Sequence, residues 1–502
     1  MTIARAAASL HLATDHVLPV MADLLAAGYE PALVAGHRSG DTTTITYALV
    51  RAPDGARLEV SLTTAAEGGE FPSAAALSYP LGRFEREVRD LYGVTPRGHP
   101  MPYRLVRHAH WPRGWYPMAA ASAQAPPFDD DAGDYPFTPV EGAGGYEIPV
   151  GPVHAGLIEP GHFRFSVVGE TILRMKARLW FLHRGVERLF VGRAPAAGLE
   201  LAERISGDTA VGHALAYTLA VEEALGLQVS ERTQLTRALL LELERVYNHV
   251  GDLGAMANDV GFSFVHAHAL RLREDLLRLN DRTTGHRLLR GGISIGGAHI
   301  HALPEPAPLA SIAAEVDELV AITLGNSTVL DRFTGTAVLH RSSAAELGTV
   351  GYVARASGVP RDARRDHPFC TLPDGFRVTT EEGGDVLARY RVRVGEIAVS
   401  LRLIDQLSSV LSTDRSPASP GAVVAREPTS GPGHGLGLVE GWRGRIAHRV
   451  QLAPDGTVAR VKVVDPSFFN WPALAVALAD TIVPDFPLAN KSFNQSYAGN
   501  DL

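Results

Sequence analysis

The chain has 502 residues, 45% hydrophobic and 20% charged, with a net charge of −8 and one cysteine. That length carries two or three domains with sizeable cores, in the composition of a folded soluble protein. The acidic balance gives no footprint for nucleic acid, and a single thiol excludes an internal disulfide framework, cysteine-held iron–sulfur clusters and multi-cysteine zinc sites.

The first stretch, MTIARAAASLHLATDH, lacks the long apolar region of a secretory signal. A helix is expected from about His11 to Ala27, kinked or restarted at Pro19 and ended by Gly28. TTTITYALVR and RLEVSLTT flank the turn APDG at Ala52 to Gly55 and read as a β-hairpin. This first unit, 1–117, reads as α+β. Residues 118–147 are rich in Ala, Pro, Asp and Gly and read as a linker or extended arm. From Ile148 the character changes, with a strand pair through HFRFSVVGETI and then helices. These are predicted over Thr209–Leu225 (stopped by Gly226), Glu231 to about Asn258 (capped by Ser230), Pro308–Leu324 and Thr380–Leu411. Strands return in RIAHRVQL and VARVKVV around a second APDG turn. No apolar run approaches the about eighteen residues of a membrane span; PALAVALADTIV from Pro472 is too short and holds Asp480.

Several patterns could carry chemistry. GISIG at Gly292 to Gly296 has the spacing of a nucleophile elbow but neither the preceding strand nor the following helix, so a glycine-rich loop is expected. Of the H-x-H pairs at His108/His110, His266/His268 and His299/His301, His266 and His268 fall in a predicted helix, where residues two apart do not share a face, and His299 and His301 could form half a metal site but show no third ligand, so a surface or loop role is expected. GPGHGLG near Gly431 lacks dinucleotide-fingerprint spacing. LGRFEREVRDLYGVTPRGHP, Leu81 to Pro100, mixes acids and arginines; locally it reads as a solvated, salt-bridged helix end.

As an ordered set, that segment resembles the signature of the peripheral-arm subunit of respiratory complex I: Glu85, Arg86, Glu87, Asp90, Leu91, Gly93, then Gly98, His99 and Pro100. IPVGPVHAGLIEPGHFRF and FLHRGVERL resemble the opening of the complex I quinone-site subunit. They resemble even more the large subunit of formate hydrogenlyase, a membrane-bound nickel–iron hydrogenase in which both units are fused in this order. ERISGDTAVGHALAYTLAVEEALGLQV, LLLELERVYNHV, RASGVPRDARRDHPF and FNWPAL continue the match from about residue 75 to the end. The resemblance implies an α+β first domain followed, over 148–502, by a mainly helical hydrogenase-large-subunit-like domain with small β elements near each end.

In the hydrogenase relatives a C-G-x-C and a later D-P-C-x-x-C motif supply four thiolates to nickel, because soft sulfur ligands hold nickel and bridge it to iron. Here Ser206 and Thr209 stand at the first pair, and alignment places Ser496 and Gly499 at the second. The chain stops three residues after Gly499, without the extension those relatives carry for maturation. A nickel–iron centre is therefore predicted absent. In the quinone-site relatives a turn histidine, a tyrosine and an aspartate serve the quinone; these fall on His162, Gly207 and Asp259, so the tyrosine contact is missing. For His162 the alternatives are a proton or hydrogen-bond donor in a cavity and a turn histidine bonded to backbone; for Asp259, a partner of His162 and a helix-end residue. Arg204 and His213 flank the same mouth, with Glu203 or Asp208 as acid partners for Arg204, and Ser206 and Asp208 as helix N-cap candidates. Glu222 and Glu242 lie on successive helices among Leu and Ala; the resemblance implies an inward face, but exposure is the commoner case for such acids, and His249 stands equally as a site residue or a core histidine.

The expectation is a subunit of a membrane-associated oxidoreductase complex related to formate hydrogenlyase and NADH-quinone oxidoreductase, serving electron transfer or its coupling to ion translocation. A quinone is the candidate ligand; NAD enters only by association with the family. Iron–sulfur clusters belong to partners, an iron–sulfur small subunit among them, beside antiporter-like membrane-arm subunits. The expected place is the cytoplasmic face of the membrane, held through those partners, with no span of its own. A redox-inactive scaffold and an authentic hydrogenase are the alternatives.

Overall fold

A four-stranded sheet opens the computed structural model, which describes residues 8–119, 126–128, 135–154, 158–413 and 433–502. Strand β1 (Ala8–His11) lies parallel to β4 (Ala56–Ala65), and β2 (Glu30–Ser39) and β3 (Thr42–Arg51) complete the order β1–β4–β3–β2. The predicted hairpin is β3–β4, paired from Thr42↔Ala65 to Arg51↔Ala56. Helix α1 spans Val17–Ala26 only. His11 belongs to β1, and Pro19 sits in the helix's first turn, where its missing N–H costs no bond, so neither kink nor restart occurs.

Helix α2 (Tyr79–Tyr92) carries the complex I-like signature, and the solvated reading of that segment is wrong. Glu85, Glu87 and Asp90 are all buried. Glu85 accepts from Ser73 Oγ (2.5 Å) and the Ala74 amide (2.8 Å), and burial pushes it up to about 7. Asp90 accepts the amides of Leu105, Val106 and Arg107, fixing the segment after Pro100.

Strands β5 (Gly145–Val150), β6 (His162–Val168) and β7 (Thr171–Arg178) form the second sheet, β5 beginning inside the stretch expected to be linker. Helices follow: α3 (Ala210–Leu225), α4 (Glu231–Asp259), α5 (Ser263–Thr284), α6 (Pro306–Gly325) and α7 (Val386–Thr413). Ser230 caps α4 through the Thr233 amide, and Gly226 ends α3 in the left-handed region. Helix α7 starts six residues later than predicted. Gly384 (φ +65°) breaks the chain direction against Leu339, and Asp385 then accepts the Ala388 amide.

The last sheet holds β8 (His434–Gly441), β9 (Gly444–Leu452) and β10 (Val458–Val464), followed by helices α8 (Pro466–Ala477), α9 (Phe486–Phe493) and α10 (Tyr497–Asp501). Of the glycine-rich stretch, Gly433 and the start of β8 lie within the described residues. A Cβ at Gly435 would sit 2.2 Å from the Ala220 oxygen, and one at Gly437 1.9 Å from that of Ala216, so glycine lets β8 lie directly on α3. The chain thus has a mixed α+β unit followed by a largely helical one with small β elements near its ends. Among the described residues no helix is long and apolar enough to cross a membrane.

Candidate functional site

The mouth of α3 lies at the centre of the second unit. Ser206 and Ser496, 290 residues apart, meet with their hydroxyls 2.8 Å apart. Ser206 donates to Asp208 Oδ1 (3.0 Å), so its single proton is used and Ser496 donates to it. Asp208 takes both arms of the Arg443 guanidinium, at 2.6 and 2.7 Å, and a bond from Thr209 (3.0 Å). Burial opposes ionisation of Asp208, but Arg443 and the two hydroxyls hold its carboxyl near 2. Trp442 Nε1 donates to Thr209 Oγ1, and Arg443 stacks on the Trp442 ring at 3.9 Å. Arg443 Nε is fixed by the Asn494 carbonyl at 2.6 Å.

Behind this pair lies a second buried group. His213 Nε2 lies 2.9 Å from an Asp465 carboxylate oxygen and its Nδ1 3.0 Å from His448 Nε2, so the imidazole bridges the two. Burial, then His213 and Lys462, depress His448 strongly. Asp465 also caps α8 and lies against Gly499, where an added Cβ would come within 2.5 Å of its carboxyl carbon.

Neither Ser206 nor Asp208 caps α3. Its first-turn amides at Val211 (2.6 Å) and Gly212 (3.0 Å) bond Glu244, reaching in from α4. Among the described residues Glu244 has no cation within ion-pair distance; burial outweighs the amides and pushes its carboxyl up to about 8. Arg204 is also misplaced by the sequence reading: it is about half exposed and pairs with Glu200 at 3.1 Å, while Glu203 accepts the Gly291 amide. Gly207 is exposed, with open space where a side chain would stand.

The quinone-type residues are not assembled. His162 donates Nδ1–H to the Gly151 carbonyl (3.0 Å), and its buried Nε2 has no partner among the described residues. Asp259 ends α4 half-buried, facing Lys491 and His266; burial raises its carboxyl, and no bond links it to His162.

Glu222 and Glu242 are buried, against expectation. Glu222 clamps Arg237 at 2.6 and 2.9 Å and takes the Gly296 amide, so GISIG is a held loop. Glu242 binds Arg245, Arg364 and Ser400. His249 is a buried core residue bonded to Glu396 at 2.8 Å. Cys370 is buried, and burial pushes its thiol to about 12. Arg443, Trp442 and Glu244 gave no sequence signal. Asp465 did, as an Asp-Pro pair opening a helix.

A nickel–iron group does not fit these residues. The positions that the resemblance aligns with four thiolates hold Ser206, Thr209, Ser496 and Gly499, and a hydroxyl is a poor substitute for thiolate. The two serines are bonded to each other, and Asp465 leaves no room for a side chain at Gly499. Among the described residues no three His, Cys, Asp or Glu side chains are placed to hold a metal ion.

Comparison with known proteins gives the family. Residues 4–123 match the respiratory-chain NADH dehydrogenase 30 Kd subunit, 184–252 the nickel-dependent hydrogenases and 259–428 the respiratory-chain NADH dehydrogenase 49 Kd subunit. Formate hydrogenlyase subunit 5 of Escherichia coli is 34% identical over 86% of this chain and 77% of its own length. The membrane-bound hydrogenase subunit alpha of Pyrococcus furiosus is 30% identical over 71% and 87%. The fused C/D polypeptide of the NADH-quinone oxidoreductase of Phocaeicola vulgatus is 28% identical over 69% and 71%. A chain from the structure of the membrane-bound sulfane sulfur reductase, an archaeal respiratory membrane complex, shares the fold, with a TM-score of 0.65 at 24% identity over 73% of this chain and all of that one. The chain therefore belongs to the family of formate hydrogenlyase and membrane-bound hydrogenase large subunits, related to the fused C/D polypeptides of NADH-quinone oxidoreductase, and is an oxidoreductase-family subunit whose described residues do not provide a hydrogenase metal site.

Proposed function

We propose that this chain couples electron flow in partner subunits to the membrane arm of its complex, with no redox centre at the mouth of α3. The division is 1–117 for docking onto iron–sulfur partners, 118–147 as an arm, and 148–502 facing a small cluster-bearing subunit and antiporter-like membrane subunits. The supporting observation is the closed mouth: Ser206 bonded to Ser496, and Asp208 locked on Arg443, where relatives place thiolates. An ion pair and hydroxyls held this way make a rigid polar wall. The complex sits on the cytoplasmic face of the membrane through its partners.

A second reading, a quinone-like acceptor near His162, is favoured by one observation: the buried Nε2, without a partner among the described residues. A ring nitrogen left bare inside a protein marks a place where a ligand or water completes the bonding. Quinone-dependent turnover of the purified complex separates the two. The coupling reading expects His162→Ala to keep its rate; a large drop would transfer the case to the quinone reading.

A further inference from the structure

The segment after α2 is held rigidly and carries exposed side chains. Met101 is 45% and Tyr103 57% exposed. Their backbone is pinned from α2: Arg86 donates to the carbonyls of Tyr103 (2.7 Å) and Arg104 (3.0 Å), and Arg89 to that of Pro102. His99 takes the Met101 amide at 2.9 Å while bonded to the Gly82 carbonyl, and Asp90 takes the three amides that follow. A backbone fixed beforehand spares the loop-ordering cost of binding, and Tyr and Met are enriched at interfaces.

The charge around them is one-sided. Over 81–119 the acids are Glu85, Glu87 and Asp90, all turned into the interior. Arg86, Arg89, Arg97 and Arg104 reach the surface, and none forms an ion pair among the described residues. The arginine-to-carbonyl bonds order the segment without neutralising it. Arginines on and beside a segment that exposes Met101 and Tyr103, on a chain of net charge −8, are complementary to an acidic surface with a recess for those two side chains.

We propose that this ledge, Gly98–Arg104 with the arginines on and beside it, is the docking surface for an acidic protein subunit of the complex. The inference deepens the docking role proposed for the first unit and rests on it. The test is Tyr103→p-benzoyl-phenylalanine in the tagged chain, photo-cross-linked in the intact complex from native membranes and mapped by mass spectrometry. The expected result is one cross-linked subunit, attached within a stretch rich in Asp and Glu, with a yield that falls several-fold in Arg97→Glu/Arg104→Glu and in about 0.5 M salt. Because Arg104 also donates to the carbonyls of His108 and Ala109, the single variant Arg97→Glu, with a fall in yield and an unchanged thermal midpoint, separates lost charge from lost folding. An intact complex with no cross-link at Tyr103 would overturn the docking surface alone. So would attachment to lipid, to a stretch without acidic excess, or to this chain's own Asp129–Asp131 run. A tagged chain that brings no other subunit overturns the proposed function and the docking with it.

Discussion

Arg443 is buried and owes its pairing to Asp208. Removing the carboxylate leaves a desolvated guanidinium without its fork partner. Asp208→Ala is expected to cost about 2–4 kcal/mol in chemical denaturation, below a wholly enclosed pair because about a third of Asp208 is in solvent. Since the Asp208 carboxyl is depressed from 3.8 to about 2, its contribution is complete above pH 3.8 and is lost as pH falls through 2. Glu244 has the opposite sign. Its folded value, about 8, lies above the ordinary 4.5, so between those limits the folded chain keeps a proton that the unfolded chain has lost. Stability therefore falls as pH rises across that window, and Glu244→Gln is expected to flatten this slope in thermal melts recorded from pH 5 to about 8. Sequence suggested one site for Ser206 and Ser496 through the resemblance alone, and their hydroxyls do meet. It missed Arg443 and Glu244 because nothing local distinguishes a buried arginine or glutamate from an exposed one. Arg204 was misjudged for the same reason.

Elements were legible where their signals are local. The hairpin β3–β4 has its turn residues, α4 its serine cap, and α3 its terminal glycine. β8 was not legible, because its glycines answer to the carbonyls of α3, more than 200 residues away in sequence. Gly437→Ala tests that account. Its methyl would stand 1.9 Å from the Ala216 oxygen, so strand and helix must separate, at about 1–3 kcal/mol or more of stability by denaturant titration. A cost near zero would mean that β8 does not rest on α3. The late start of α7 has a similar origin: helical periodicity extends upstream, but Gly384 must turn against the Leu339 backbone.

At the scale of the molecule, the two units share one apolar core, running from Val34 and Tyr47 of the first sheet to Phe468 and Trp471 of α8. Phe84 of α2 stacks on Phe468 with ring centres 4.5 Å apart. Charge pairs cross the same seam: Glu59 with Arg449 at 2.8 and 2.9 Å, Glu87 with Lys462 at 2.6 Å, and Arg57 with Glu223 at 2.7 Å. Calorimetry of the full chain should therefore show one cooperative transition. Glu59→Ala, which strands the buried Arg449, should lower its stability by about 3–5 kcal/mol. Family motifs in order announced both units, but no pattern within the sequence names the pairs that lock them. The signature on α2 was read as a solvated face for this reason: its acids are buried against backbone amides and a lysine of β10.

On the proposed reading, this chain's own side chains close the place where the resemblance puts a metal. Elemental analysis of the purified, intact complex tests it most directly. No stoichiometric nickel is predicted, whatever iron the partner subunits bring. One nickel per copy of this chain, retained through purification and lost in Ser206→Ala, would contradict it.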